Sequence, residues 1–518
     1  MLRRLLNVFR RAPVKARSRA ELTDAMRIMP GRASLSYDAA RSGTDLDGHW
    51  AFADSLDADS ANNPAVRHTL MKRSRYESGS NGYYAGICRT HCNMMVGVGP
   101  TLRMLTGNRG FNQLIEREFY AWAQKIQLRR KLWCMAYART GDGEAFGVLQ
   151  TNESLTGRVQ LDLLLIEAEQ CQSPYLSHIE TGYIDGVKFD ESGNVLWYDI
   201  LPNHPGSNYL AHTLDPIPTP ANQVLHWFKL QRAGAHRGTP DLTPTLNVGA
   251  SSRRWREATV AAAESAASVG AMLTTNLSPN GDGEPDPIAP YSTIEWVKRM
   301  VMAAPMGWDA KQLKSEHPNA QYADFHRSQV SEQARPLSMP YNLAATDSST
   351  YSFASGKLDT LGYRVALDVE RADCNDMVLD PLFAAWFREW RVGRDEFELQ
   401  NIVIPNHQWD WPTHPVIDAV QEATATDTKL KNGTITLRQV YSDQGQDLED
   451  QLSIMAEDTF GEANDATIEK ARQILTLKNT PAHALPFVAQ LLGLESPAPQ
   501  LTASPQPQGA TSDVPQEV

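Results

Sequence analysis

Residues 224–240 read VLHWFKLQRAGAHRGTP and mark the point at which the chain changes character. The apolar and aromatic residues Val224–Lys229 favour a strand. The Gly- and Pro-containing residues that follow favour a turn. Beyond them the sequence predicts a long helix over about Leu246–Leu273, because eight of the residues 250–273 are alanine, the best helix former. Such small side chains suit a helix buried within one domain and equally a helix packed against copies of itself around an axis.

The regions on either side predict a protein with both α-helices and β-strands. Its 518 residues are too many for a single hydrophobic core, so we expect several domains or layers. Helical spacing of apolar residues predicts helices over 62–96, Phe111–Ala138, Tyr322–Ala334 and Lys357–Trp390. Runs between turn residues predict strands at Ala145–Asn152, Val159–Ile166, Ile184–Phe189 and Val195–Ile200. Residues Pro336–Gly356 are predicted to be irregular, Trp409–Pro415 to be a loop, and 416–495 to be mostly short helices.

Charge is spread unevenly along the chain. The net charge is −12, but residues 1–41 hold ten Lys and Arg against three Asp and Glu, so the remainder carries −19. An acidic body does not grip DNA phosphates. The basic segment fits a solvated flexible arm or a contact with nucleic acid or another protein, and its arginines also fit an organellar presequence. No apolar run is long enough for a transmembrane helix.

The sequence shows no catalytic or metal-binding motif that would identify an enzyme. It has neither the Gly-rich phosphate loop of ATPases nor a Gly-x-Ser-x-Gly nucleophile elbow. Cys88, His91 and Cys92 have a spacing that could bind metal, but a zinc site needs about four ligands and no second pair follows. Buried residues on a helix are the preferred interpretation, with metal left open. The five cysteines are too few and too scattered for a disulfide scaffold, which fits a reducing cytosol.

Five segments, taken in order, resemble the lambda-type portal proteins of tailed bacteriophages. The third segment is the most specific, with Arg232 to Pro240 similar to the family's "R-P-G-Q-x-R-G-x-P", although Ala233 and Ala235 replace its Pro and Gln. In the fourth, Lys357 stands where the family often has Arg, and in the fifth Ala419 replaces Pro. The segments are Tyr76–Gly99, Glu116–Phe146, Gly182–Pro240, Met339–Gly356 and Trp411–Thr436.

The resemblance implies an α+β portal fold assembled as a ring of about twelve copies. It implies a wing, two stem helices flanking a clip at about 274–320, a loop that projects into the channel, and an α-helical crown. The implied boundaries are a basic arm at 1–45, wing at 46–244, stem and clip at 245–335, channel loop at 336–356, returning wing helix and strands at 357–415, crown at 416–495 and a disordered tail at 496–518.

The resemblance also implies a function in which catalysis belongs to a partner. The ring would sit at one capsid vertex of the virion, assembled in the host bacterial cytoplasm, and would pass double-stranded DNA without sequence specificity. Expected partners are the terminase large subunit, a head–tail adaptor, and the major capsid and scaffold proteins, with no membrane, cofactor or metal. Two alternatives stay open: another phage ring protein of the adaptor kind, and an intracellular hydrolase whose site is not local in sequence.

Eight residues are candidates for the functional contacts. Ala262 and Ala266 are expected at the stem interface between subunits. The channel-loop candidates combine hydroxyls, an amide and aromatic rings, with Asp347 as the only ionised side chain from Met339 to Gly356. Neutral groups can touch a DNA backbone and release it, whereas each added cation would strengthen phosphate binding. An ordinary surface loop would have a similar composition. The loop candidates are Tyr341, Asn342, Ser348, Ser349, Thr350 and Tyr351.

Overall fold

The computed structural model describes most of the chain between Phe52 and Asn479. The described residues are 52–173, 182–209, 215–268, 272–275, 308–311, 322–394, 404–412, 419–443, 446, 448–462 and 464–479. Contacts divide the chain into residues 1–57 and 58–518, and the elements below belong to the second unit. The predicted arm at 1–45 and tail at 496–518 lie outside the described residues, as does most of the predicted clip at 274–320.

Each of the first two predicted long helices is a pair of helices. Between α2, Pro64–Ser80, and α3, Gly82–Val96, Asn81 adopts an extended backbone with φ −118°. Its side chain accepts hydrogen bonds from the amides of Tyr83 and Tyr84. Asparagine is a strong N-cap, so this residue ends one helix and starts the next. Between α4 and α5, Gln127 takes a left-handed conformation with φ 54°. The helices are α1 Ala58–Ala61, α2 Pro64–Ser80, α3 Gly82–Val96, α4 Arg109–Lys125 and α5 Leu128–Asp142.

Two antiparallel sheets follow, one of three strands in the order β3-β2-β8 and one of four in the order β4-β5-β6-β7. The strand predicted at Ile184–Phe189 is a hairpin, because Asp185 and Gly186 both take positive φ and turn the chain. The strands are β1 Thr101–Met104, β2 Glu144–Thr151, β3 Leu161–Ile166, β4 Tyr183–Ile184, β5 Val187–Phe189, β6 Val195–Ile200, β7 Ile217–Pro220 and β8 Val224–Phe228.

The Ala-rich helix ends earlier than predicted. Helix α6 spans Leu246–Ser268, and Leu273, predicted to end the helix, lies instead in strand β9, Met272–Thr275. Strand β9 pairs antiparallel with β10, Trp308–Lys311. Helix α7 spans Tyr322–Ala334, as predicted, and packs along α6.

The chain then returns through a second interrupted helix. Predicted as one helix over Lys357–Trp390, it consists of α9, Phe353–Cys374, a π-helical turn at Asn375–Leu379, and α10, Asp380–Trp390. Pro381 supplies the reason, since it has no N–H to complete the α-helical ladder and the amide of Asp380 bonds to Asn375, five residues back. Helix α8 spans Tyr341–Ala344, α9 Phe353–Cys374 and α10 Asp380–Trp390.

The prediction of a loop at Trp409–Pro415 is wrong at its start. Trp409 and Asp410 lie in strand β11, His407–Asp410, which pairs with β1 across Leu102 and Trp409. Beyond it, the predicted short helices are α11 Ala419–Lys431, α12 Leu437–Asp443, α13 Leu448–Phe460 and α14 Asp465–Asn479.

The main core lies where α4, α10 and the first helices meet. Phe119 packs edge-on against Phe383 and Trp386, with ring centroids 5.7 and 5.2 Å apart. Trp386 stacks on Trp390 at 5.7 Å. Since aromatic side chains bury large apolar areas, this cluster fixes the returning α10 against α4, which is separated from it by more than 200 residues of chain. A smaller core lies between the four-stranded sheet and Phe146.

Candidate channel segment and charge network

The segment predicted to be an irregular channel loop is a compact series of turns that contains a short helix. After α7 the chain makes a 3-10 turn at Arg335–Leu337 and takes positive φ at Ser338. Pro340 then precedes α8, and Ser352 caps α9, accepting from the amide of Ser355 at 3.2 Å. Helix α9 therefore starts at Phe353, four residues before the predicted Lys357. The expectation that 336–356 is wholly irregular is corrected to this extent.

The tip of the segment is held by local hydrogen bonds around Asp347. Its amide donates to the carbonyl of Asn342 at 3.1 Å, and its carboxylate accepts from the amide of Ser349 at 2.9 Å. This bond from Ser349 lowers the pKa of Asp347, so the side chain is ionised at neutral pH. Ser348, Ser349 and Thr350 are exposed, while Tyr341, Asn342 and Tyr351 are half-buried.

The structure adds one cation to this segment that the sequence did not indicate. Arg327 of α7 lies with its guanidinium carbon 4.7 Å from the ring centroid of Tyr341 and 5.6 Å from that of Tyr351. Its Nη1 donates to Oγ1 of Thr350 at 2.5 Å. Three of the six loop candidates therefore meet at one arginine. No sequence pattern singles out Arg327, because the contact depends on how the chain folds back along α7.

The two stem candidates, Ala262 and Ala266, both lie in α6. Ala262 is half-buried in α6, while its neighbours Ala261 and Ala263 are exposed. Ala266 lies in α6, but its side chain falls outside the described residues. Helix α6 contacts α7 through Trp255, which stacks on Tyr322 at 4.8 Å and meets Phe325 edge-on at 4.9 Å.

Helix α9 has an exposed apolar face as well as a buried one. Tyr363 and Leu367 are fully buried. The exposed row consists of Leu358, Leu361, Val365 and Val369, whose exposed fractions are 70%, 46%, 64% and 66%. Spacings of three and four residues place these four side chains on one side of the helix. A contiguous exposed apolar row on a helix indicates an interaction surface. These residues were not among the sequence candidates, although their spacing was visible there.

Two of the family-like segments meet in a buried charge network. Glu144, at the start of β2, accepts hydrogen bonds from Nη2 of Arg237 at 2.7 Å and from Nε at 2.9 Å. Arg237 also donates to the carbonyl of Cys171 at 3.0 Å, and His226 lies 3.1 Å from the same carboxylate. Arg67 joins Glu144 and Asp185 through ion-pair contacts. Burial alone would raise the pKa of Glu144, but the charge of Arg237 and the other donors hold it well below its usual value.

Two glycines allow this network to close. Gly143 has φ 96°, and a Cβ there would lie 2.3 Å from the carbonyl carbon of Thr239. A Cβ on Gly238 would lie 2.0 Å from the carbonyl oxygen of Gly143. Only glycine fits where the two backbones touch, which explains why glycines stand beside Glu144 and Arg237 in these segments.

A second buried network takes up His91. Its Nε2 lies 2.9 Å from Glu370 and its Nδ1 lies 3.0 Å from the hydroxyl of Tyr363. Arg139 donates to the same Glu370 carboxylate at 2.7 Å. Cys88 and Cys92 are buried on α3, and burial raises the pKa of the Cys92 thiol to about 12. Both nitrogens of His91 therefore serve helix packing, in accord with the structural interpretation of this trio.

Among the described residues, one group has the spacing of metal ligands: Glu167, Glu169 and His204, with ligand atoms within 4.8 Å of one another. Arg75 donates to both oxygens of Glu169, at 2.7 and 3.0 Å, and lies 3.2 Å from Glu167. A guanidinium already balances these carboxylates, so we assign no metal to them. No helix in the described part of the chain is long and apolar enough to cross a membrane.

The sequence profile described as phage portal protein, lambda family, matches residues 46–371, which is more than half of the chain. The chain is thus a bacteriophage structural protein of the portal class. It belongs to the lambda family of phage portal proteins. No curated protein matches the sequence significantly.

The structure is also similar to chains of gene transfer agent particles. In the structure titled "Virion of native gene transfer agent (GTA) particle", one chain is 12% identical with a TM-score of 0.41, covering 74% of this chain and 94% of that one. In "Neck of native GTA particle computed with C12 symmetry", a chain is 11% identical with a TM-score of 0.42 and the same coverage.

Proposed function

We propose that this protein forms a closed ring at one vertex of a phage capsid and that double-stranded DNA passes through the ring during packaging, retention and ejection. The observation that carries the proposal is its membership of the lambda portal family over residues 46–371. The protein acts as a structural channel located in the virion, while a partner hydrolyses ATP. The geometry supports the proposal at two places, the outer faces of two helices and the segment around Asp347.

Ring formation is supported by apolar surface that the single chain leaves uncovered. Val260 of α6 is 57% exposed beside the exposed Ala261, and α9 adds its exposed row of four apolar side chains. In a ring with rotational symmetry, each subunit contacts the next subunit through one surface and the previous subunit through a different surface. We assign the small-residue face of α6, including Ala262 and Ala266, and the outer row of α9 to contacts between copies.

DNA contact is supported by the chemistry of the exposed segment tip. Ser348 and Ser349 present hydroxyl groups to solvent, next to the ionised Asp347, while the hydroxyl of the exposed Thr350 accepts from Arg327. Hydroxyls can hydrogen-bond to phosphate oxygens without the counterion release that makes cationic contacts tight. A ring of such tips would touch DNA of any sequence and release it. The other interpretation is that this tip is a surface turn without a role in DNA passage.

The remaining partners rest on family membership alone. The terminase large subunit and then a head–tail adaptor would dock at the clip, residues 274–320, most of which lie outside the described residues. The predicted wing at 46–244 and 357–415 and the crown at 416–495 would contact the major capsid and scaffold proteins. Assembly would take place in the host bacterial cytoplasm.

Electron microscopy of the purified protein tests the ring. End-on class averages should show closed rings of about twelve subunits around a channel wide enough for a DNA duplex. Small rings of the adaptor kind, or a protein that stays monomeric under all assembly conditions, would contradict the proposal.

A double substitution tests the assignment of the DNA contact. Ser349→Lys with Thr350→Lys adds two cations per subunit at the tip, so rings should form while packaging stalls or DNA retention changes. The matched control is Ser154→Lys with Ser192→Lys, which adds the same charge at exposed positions in turns elsewhere. Normal packaging and retention in the first variant would remove the segment tip from the channel.

A further inference from the structure

Arg327 contacts both ends of the channel segment. Tyr341 stands at its entry and Tyr351 near its exit, and the guanidinium of Arg327 lies over both rings at 4.7 and 5.6 Å. Between the rings it donates to the hydroxyl of Thr350. Because Arg327 belongs to α7, which packs along α6, these contacts join the tip of the segment to the pair of long helices.

The hydrogen bonds inside the segment fix its shape rather than its position. The amide of Asp347 bonds to Asn342, that of Ser349 to Asp347 and that of Tyr351 to Ser348. All three bonds join residues at most five positions apart, so the turns could move as a unit without breaking them. Helix α8 packs on α3 and α7 and buries Ala344, which places the start of the segment. The exposed tip from Ser348 to Thr350 needs a further contact to another element to set where it lies.

We propose that Arg327 is the positioning residue of the channel segment, acting as a latch that holds Tyr341, Thr350 and Tyr351 against α7. This rests on the proposed function in that the segment is taken to face DNA. An arginine suits the role because its planar guanidinium stacks on aromatic faces, whereas the compact ammonium of lysine does not. A cation beside a surface over which DNA must slide would be expected to bind phosphate. The guanidinium of Arg327 instead contacts two aromatic rings and a hydroxyl of its own subunit.

Hydrogen–deuterium exchange on the full-length ring without DNA tests the latch. Arg327→Lys keeps the charge and loses the planar group, and Arg327→Gln loses both. In each variant, exchange at the amides of Asp347, Ser349 and Tyr351 should be about three- to tenfold faster than in the unaltered protein. The control is Arg335→Lys, an exposed arginine eight residues further on, which should leave those rates unchanged.

The comparison of Lys with Gln decides whether stacking or charge matters. If Arg327→Lys exchanges as slowly as the unaltered protein, charge alone holds the segment and the latch is wrong as described. Unchanged rates in both variants would also overturn it, because the segment would then be positioned without Arg327.

Substitutions of Tyr351, whose aromatic ring contacts Arg327, give an independent test. Tyr351→Phe keeps the aromatic face and should exchange normally. Tyr351→Leu loses one of the two rings and should exchange faster than the unaltered protein, by no more than Arg327→Lys, which loses the stacking on both. The double variant Arg327→Lys with Tyr351→Leu should exchange no faster than Arg327→Lys alone, since the arginine change already removes the contact with Tyr351. Additive effects would show that the two residues act separately and would contradict the latch.

Packaging assays on the same variants separate this inference from the proposed function. Faster exchange together with altered DNA retention supports both. Faster exchange with normal packaging and retention supports the latch and contradicts a DNA-facing role for the segment. Altered retention with unchanged exchange contradicts the latch and leaves the channel assignment standing.

Discussion

Around Glu144, two arginines, a histidine and a second carboxylate meet away from water within a single chain, while α9 leaves a row of four apolar side chains in solvent. In the first region, charged side chains that are costly to remove from water form ion pairs within the subunit. The second has apolar groups whose burial requires another surface. The contrast separates what makes one subunit fold from what makes subunits associate, and each region can be perturbed without the other.

The largest effect on the subunit is expected from Glu144→Gln. Removing the Glu144 carboxylate leaves Asp185 to balance the two buried charges of Arg237 and Arg67. This should lower the free energy of unfolding by about 3–5 kcal/mol. Urea unfolding measures this, with the exposed Glu191→Gln as the control. A loss below about 1 kcal/mol, the range of exposed ion pairs, would mean that the network is dispensable.

The pH dependence of this variant follows from the sign of the pKa shift. The pKa of Glu144 is depressed in the folded protein, so its ionic contribution is present above the usual pKa of glutamate and is lost as pH falls below it toward the folded value. The difference in unfolding free energy between the unaltered protein and Glu144→Gln should therefore shrink in acid.

The outer row of α9 should show the opposite behaviour. Val365→Ser with Val369→Ser should change the unfolding free energy of the dilute subunit by no more than about 0.5 kcal/mol. Ring assembly should weaken by about 1.5–3 kcal/mol per side chain that would be buried between copies. Sedimentation across a range of concentrations measures the assembly.

The buried face of the same helix provides the control for that variant. Leu367→Ser should destabilise the subunit itself by about 2–5 kcal/mol, because the fully buried side chain leaves a cavity. If the exposed-row variant assembles at the same concentration as the unaltered protein, the row lies outside the subunit contact.

A smaller effect is expected on the Ala-rich helix. Ala262→Leu with Ala266→Leu should overpack a contact between copies and cost about 1–3 kcal/mol per subunit in assembly. The pair Ala263→Leu with Ala267→Leu, turned by about 100° around the helix, should weaken assembly less. Normal assembly and packaging by the first pair would show that α6 does not line a subunit contact there.

The smallest effect is expected at the C-terminus. Residues 496–518 are rich in Pro, Gln, Ser and Thr, a composition that buries too little apolar surface to offset the entropy of ordering. Deleting the chain from Ser496 onward should leave rings intact in electron micrographs. Loss of rings would give this segment a structural role.

The sequence by itself determined the local elements and the family. Alanine content predicted α6, apolar spacing predicted α7 within its observed bounds, and the glycines and charges of five segments indicated the portal family that the profile match over residues 46–371 confirms. These features are local, since helix propensity, turn chemistry and motif order are all properties of neighbouring residues.

Only the tertiary structure decided which distant groups meet. Glu144 and Arg237 are far apart in sequence, and Arg327 and Tyr351 are separated by several turns of the chain. No periodic pattern in the sequence predicts either pair. The pairing of β1 with β11 likewise depends on contacts across the chain. The physical reason is that buried charges and aromatic faces select partners by position in space, and that position is set by the packing of the whole core.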